Sequence, residues 1–245
     1  MKSRPYINDF ATRSFRDLAD QDYIAARIAY RNELDQQFLW NSLQAVEKYL
    51  KAILLYNGRS SKGIKHDIVK GLELVSAIGD IQFGLPDDVI SYIRYLNNYG
   101  ANRYLVHPTQ LRDDALLQLD RTVWHIRRYC YYMRGVLRSR DGSMINMLEY
   151  ETKKIHLPLY QEQPHKYKIF GGYLEILIKN ESVAAQQLVW KNFYFGRSNK
   201  KVIRNFTCRS SSANPIHYLH PEIFWELEKL VDFPKNLKEY FHSSR

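Results

Sequence analysis

The chain is predicted to be mainly α-helical, a bundle of about five helices over residues 11–140 followed by a smaller, mostly helical domain over 143–245. Three observations predict this. Leu39, Leu43, Val46, Leu50 and Ile53 recur at steps of four and three, which stacks them on one face of a helix. Leu116, Leu119, Val123, Ile126, Cys130, Met133 and Leu137 do the same further on. After the turn-forming run Arg140-Asp141-Gly142-Ser143 the apolar pattern becomes shorter and less regular, so the domain boundary is placed there.

The first helix is expected from Ser14, as its cap, to about Asn32, with Leu18, Ala25, Ile28 and Ala29 turned inward. It should pair antiparallel with the second helix, Asp35 to Gly58, which carries Glu47 and Lys51 as an outer ion pair and Gly58 as its left-handed terminator. The loop Arg59–Lys65 does not have the order of a phosphate-binding P-loop and reads as solvated. A third helix runs from His66 to Ile78. Gly79, Gly84 and Pro86 separate it from a fourth that starts at Asp87 and buries Val89, Ile90, Ile93 and Leu96. A fifth helix is expected from about Gln110 to Arg138. Beyond the boundary, short helices are expected at Ile145–Lys154, Tyr173–Lys179, Val183–Phe193, Glu222–Val231 and Asn236–Phe241, with a strand at Lys201–Cys208.

The formal net charge of +10 points to an acidic partner, RNA or another polyanion. Nineteen tyrosines, more than phenylalanine and tryptophan together, supply ring faces and hydroxyls. Two cysteines, Cys130 and Cys208, cannot build a disulfide framework. With a polar N-terminus and no run of about 18 apolar residues, the expectation is a cytoplasmic protein that does not cross a membrane. His217 and His220 form an HxxH pair without a second pair at ligand spacing. Hydrolase and dinucleotide fingerprints are missing, so neither metal nor cofactor is expected.

Two basic regions stand out. Arg121, Arg127, Arg128, Arg134, Arg138 and Arg140 follow one another with no acidic residue between Arg121 and Arg140; they form either a solvated face or a phosphate-contacting one. Ser182–Pro221 contains no Asp or Glu but holds Lys191, Arg197, Lys200, Lys201, Arg204 and Arg209 beside Trp190, Phe193, Tyr194 and Phe195. Cations for phosphates and rings for bases suit single-stranded nucleic acid. The same residues also suit a small second core with a solvated rim.

In order, DYIAARIAYRN, FLWNSLQAVEKYLKAILLYNG, GIKHDIVKGLELV and NRYLVHP resemble the HEPN family over about Ala11 to Arg140. The resemblance implies an up-and-down bundle that often pairs through its last two helices. In active members it implies a metal-independent ribonuclease that uses an Arg followed, after four to six residues, by a His. On this chain the matching residues are Arg103 and His107, with three residues between them and Tyr104 after the arginine; Arg121 and His125 are a weaker pair of the same spacing. The resemblance points to an RNA-interacting protein, as an endoribonuclease of a defence or toxin–antitoxin system or as a non-catalytic module binding RNA, nucleotide or a protein partner such as an antitoxin. A homodimer is implied with it. Histidine suits proton transfer because its ordinary pKa lies near 6.5, and arginine offers a fixed charge to a phosphate. Against a catalytic role, Arg103 also reads as a structural residue at a helix end and His107 as a loop histidine before proline.

Overall fold

A computed structural model describes residues 3–100, 109–196, 212–213, 221–233 and 235–243. Helix α1 (Arg4–Ala11) passes through a π-helical turn (Thr12–Arg16) directly into α2 (Asp17–Arg31). Ser14 therefore lies inside a continuous helix and caps nothing. A short turn with Glu33 at positive φ leads into α3 (Asp35–Tyr56). The two helices run antiparallel, since Asp20 meets Tyr49 and Tyr30 meets Phe38. The end of α3 is a Schellman motif: Gly58, at φ 69°, donates its N–H to Leu55 O at 3.0 Å, and Arg59 N–H reaches Leu54 O at 2.8 Å. Next come α4 (Ile68–Ser76), capped by the Asp67 carboxylate on Lys70 N–H, and α5 (Asp87–Tyr99). After the two-residue strand β1 (Thr109–Gln110), α6 (Ala115–Arg127) completes the bundle.

Leu116, Leu119, Val123, Ile126, Cys130 and Met133 are buried, as their spacing requires, but the helix stops at Arg127. Leu137 lies instead in the exposed hairpin of β2 (Val136–Arg138) and β3 (Met144–Asn146), with Leu137 opposite Ile145. The expected boundary at Arg140–Ser143 is the turn of this hairpin, where Gly142 N–H bonds Ser139 O. Beyond it lie α7 (Met147–Ile155), α8 (Pro158–Glu162), α9 (Tyr173–Lys179) and α10 (Val183–Val189). Ile155, Tyr167, Ile169, Leu174, Leu188 and Phe195 sit in the same hydrophobic core as the bundle, so the core continues through the hairpin up to Phe195. The strand β4 (Ser212–Ala213) pairs with β1. A separate small cluster forms between α11 (Phe224–Leu227) and α12 (Lys235–Ser243), where Phe224 stacks on Phe241 at 3.9 Å.

The first helix is phased differently from the apolar reading. Ala29 is buried as expected, but Leu18 and Ile28 remain 39% and 40% exposed, and the buried face of α2 is Ala19, Asp20, Tyr23, Ile24, Ala26, Arg27, Ala29 and Tyr30. The reason is polar. Asp20 and Arg27 stand seven apart on α2, and Asp120 and Arg127 stand seven apart on α6, so two turns separate the charges on each helix. The helices are antiparallel, and the pairs meet reciprocally. Arg127 holds both Asp20 oxygens at 2.7 and 2.9 Å, while Arg27 ion-pairs Asp120. A tyrosine hydroxyl completes each carboxylate: Tyr49 donates to Asp20 at 2.5 Å and Tyr23 to Asp120 at 2.6 Å.

The donors that remain on the two arginines are met from beyond the hairpin. Arg127 makes a bidentate contact with Glu175 of α9 at 2.8 and 2.7 Å. Arg27 donates to Gln187 O at 3.1 Å and to Trp190 O, and Asn192 Nδ2 bonds the Tyr23 hydroxyl at 2.9 Å. Burial pushes the carboxyls of Asp20 and Asp120 up and is opposed by the facing guanidiniums; it drives the Tyr23 and Tyr49 hydroxyls well above their ordinary range. Burial also raises the Glu175 carboxyl, but Arg127 outweighs it and holds the group below its usual value.

Breaking a buried pair leaves an uncompensated charge, which costs about 3–5 kcal/mol, whereas an exposed pair contributes at most about 1 kcal/mol. Asp120→Ala is therefore expected to lower the urea midpoint severely at an unchanged slope. Asp88→Ala, which removes the half-exposed partner of Arg121, should barely move it. Equal shifts for the two variants would contradict this account.

Candidate functional site

The segment that carries Arg103 and His107 lies outside the described residues, but both of its anchors are defined. It leaves α5 at Gly100, where an added Cβ would stand 2.8 Å from Leu43 Cβ and 3.1 Å from Leu39 O, so only glycine permits this approach to α3. It returns at β1, whose Thr109 and Gln110 face Ala213 and Ser212 of β4 in antiparallel register. Residues within the acid-free stretch are thereby brought beside the chain two positions after His107.

The approach to Gly100 is lined by tyrosines. On α5, Tyr92, Tyr95 and Tyr99 follow at steps of three and four, with ring centroids 5.6 and 5.0 Å apart. Tyr92 is buried and donates to Ala115 O at 3.0 Å, tying α5 to the start of α6. The Arg112 guanidinium lies 5.9 Å from the Tyr95 ring and grips Asp114 at 3.0 and 3.3 Å. One turn before Gly100, Asn97 Oδ1 accepts the Ile68 N–H at 2.9 Å, which draws the start of α4 to the same end of the bundle.

Two residues before Ile68, the exposed His66 sets Nδ1 3.1 Å from an oxygen of Glu47, and Lys51 Nζ holds the other oxygen at 2.5 Å. The Glu47 carboxylate is buried, whereas its spacing from Lys51 predicts a place on the outer face of α3. The difference has a physical origin. An i, i+4 Glu–Lys pair reads as solvated, but the loop carrying His66 folds across it.

The arginine series divides. Arg127 and Arg128 are each only 3% exposed and are unavailable to a phosphate, which corrects the expectation of a phosphate-contacting face there. Arg127 belongs to the buried pairs described above; Arg128 donates to Ile155 O at 2.6 Å and lies 3.7 Å from the Trp124 ring centroid. Arg121 pairs with Asp88 at 2.9 Å, and Arg134 reaches Asp80 and Asn57. Arg138 and Arg140, on the hairpin, are exposed. Lys191 Nζ lies 5.0 Å from the Trp190 ring, which Arg31 also approaches at 5.1 Å. Arg197, Lys200, Lys201, Arg204 and Arg209, the strand expected at Lys201–Cys208, and His217 and His220 fall outside the described residues. Of the aromatics expected either to bind bases or to form a second core, Trp190, Tyr194 and Phe195 pack on the main core; the separate small core is that of Phe224, Phe233 and Phe241.

The alternative pair Arg121 and His125 is not a surface acid–base pair. His125 is buried, its Nδ1 lies 3.1 Å from Arg128 Nη2, and burial together with Arg128 and Arg121 lowers its pKa to about 3. The imidazole is neutral at physiological pH and accepts rather than donates at Nδ1.

These features define a helical-bundle domain whose last two helices bracket a polar Arg–His segment. The family model for the HEPN domain matches residues 12–119, from the π-helical turn to Leu119 of α6, and this part of the chain is a HEPN domain. No curated protein and no solved structure matches the chain. The match ends one residue before Asp120, so both carboxylate–arginine pairs join a residue inside it to one beyond it. No described helix is long and apolar enough to cross a membrane.

The neutral His125 makes a pH prediction. Its folded pKa lies below the ordinary 6.5, so the unfolded chain takes up a proton that the native state refuses. The stability that it contributes is complete above about pH 6.5 and is lost as pH falls toward 3, by at most about 1.4 kcal/mol per pH unit. The His125 ring resonances should stay flat between pH 5 and 8; titration near 6.5 would contradict its burial.

Proposed function

We propose that the chain is an RNA-interacting protein whose HEPN domain supplies a metal-independent endoribonuclease centre at Arg103 and His107, in a defence or toxin–antitoxin setting, and whose acid-free segment holds the RNA strand. The observation that carries this reading is the β1–β4 pairing, which joins that segment to the residues that follow His107. In this reaction His107 takes the proton of a ribose 2′-hydroxyl as the oxygen bonds to phosphorus. The 5′-oxygen leaves with a proton supplied by a second histidine, giving a 2′,3′-cyclic phosphate and a 5′-hydroxyl end. Arg103 holds the non-bridging oxygens as negative charge builds on them. Two copies of the pair facing each other across a homodimer supply the two histidines.

The three-residue spacing between Arg103 and His107 favours a second reading, a non-catalytic module that holds RNA, nucleotide or a protein regulator with the same surfaces. RNA cleavage in the presence of chelator separates the two. The nuclease reading expects the wild type to cut and Arg103→Ala and His107→Ala to lose on the order of 100-fold or more while remaining folded and dimeric. Equal cutting by all three removes these residues from the mechanism, and binding without cutting by any of them selects the second reading.

RNA affinity should fall steeply with salt, each phosphate contact adding about 0.7 to the log–log slope for a single strand. The triple reversal Lys200→Glu/Lys201→Glu/Arg204→Glu is expected to weaken binding across sequences alike and to flatten that slope. A salt-independent affinity would rule out the polyanion reading.

A further inference from the structure

A cavity of about 290 Å³ opens beside α9, and neither the family match nor the proposed nuclease centre uses it. Its lining includes Tyr167, Tyr194 and Phe195 from the aromatic edge of the core and His165, Lys168 and Lys179 from its rim. Lys168 and Lys179 are exposed, and among the described residues neither makes an ion pair. The acidic group in the wall, Glu175, has its charge met by two Arg127 N–H groups and its Oε1 also accepts the Ile169 N–H at 3.0 Å. The cavity is therefore lined by both uncommitted positive charge and aromatic rings, with its carboxylate already neutralised. Burial and the neighbouring Lys166 and Lys168 lower the His165 pKa, which leaves a neutral imidazole able both to donate and to accept.

Size narrows the choice of ligand. Ligand cavities span roughly 300–1,000 Å³, and one at the low end holds a single ring with its substituents rather than a dinucleotide or an extended cofactor. The ammonium groups in the lining call for an anionic oxygen cluster, and the tyrosine and phenylalanine rings call for a planar ring. A lone phosphate would leave the rings unused, and a neutral ring would leave the lysines unused.

We propose that this cavity binds one nucleotide, with the phosphate at Lys168 and Lys179, the base against Tyr194 and Phe195, and His165 reading a polar edge of the base. The nucleotide is either free or the end of a strand, and the test separates these sources. The cavity wall is also part of the fold's buried ion-pair system, because Glu175 both lines it and clamps Arg127. Occupancy should then stabilise α9 against the bundle.

The test is calorimetric titration of the full-length protein with each of the four nucleoside 5′-monophosphates, with the matching nucleosides, with inorganic phosphate, and with a 5′-phosphorylated tetranucleotide. At least one monophosphate is expected to bind at submillimolar concentration, at least tenfold more tightly than its nucleoside or inorganic phosphate. Lys168→Glu/Lys179→Glu, two exposed changes that leave the core intact, should weaken it tenfold or more. Tighter binding of the tetranucleotide than of the monophosphate, lost in the same variant, assigns the site to strand ends; equal or weaker binding assigns it to free nucleotide. Absence of monophosphate binding at millimolar concentration, phosphate binding as tightly, or affinity unchanged in the double variant would each overturn the proposal. Because the mononucleotide arm needs neither Arg103 nor His107, it stands or falls separately from RNA cleavage.

Discussion

Two carboxylates and two arginines buried between α2 and α6 set the geometry on which the rest of this structure depends. Each helix offers Asp and Arg two turns apart, and the antiparallel arrangement matches each charge with its opposite. Buried pairs of this kind add little net stability, because desolvation consumes most of the Coulomb attraction, but they are costly to break. Their main consequence is register. Sliding α6 by one turn would set Asp20 against Val123 or Trp124 and Arg27 against Leu116 or Leu117, so both buried charges of α2 would face apolar side chains.

The same arginines explain why the chain does not divide at the hairpin. A guanidinium carries five donors, and one carboxylate cannot satisfy them all in a dry interior. Glu175, Gln187 O and Trp190 O take up the remainder, and the aliphatic residues around them, Leu174 and Leu188, enter the bundle core. Residues 147–196 thus complete the coordination of charges that lie within and just beyond the HEPN domain.

Much of the bundle was legible because its apolar residues follow a helical period. The inner faces of α3 and of α6 emerged with their residues, as did the Schellman end at Gly58 and the bounds of α9. What was hidden is polar. A buried Asp20 or Arg27 looks like a solvent residue to any hydrophobic count, so the face of the first helix was turned toward Leu18 and Ile28. The repeated Asp-to-Arg spacing of seven, present on two helices that were both expected in one bundle, is the signal that would have corrected it. In the same way Arg127 and Arg128 read as a basic surface, since one-dimensional charge cannot reveal that Asp20, Glu175 and the Trp124 ring enclose them. The pairing of β1 with β4 had no local signature. Two-residue strands joined across a hundred positions are set by the fold, not by propensity.

Through Arg27 and Arg127, residues 147–196 fold as one unit with the bundle. Native-state hydrogen exchange tests it most directly, by comparing the opening free energies of buried amides in α9 and α10 with those in α2 and α6. The slowest amides of all four helices are expected to exchange with a common free energy and a common denaturant dependence, and Arg127→Met is expected to lower them together. Contradiction would come from α9 and α10 opening at markedly lower free energy while α2 and α6 keep their protection.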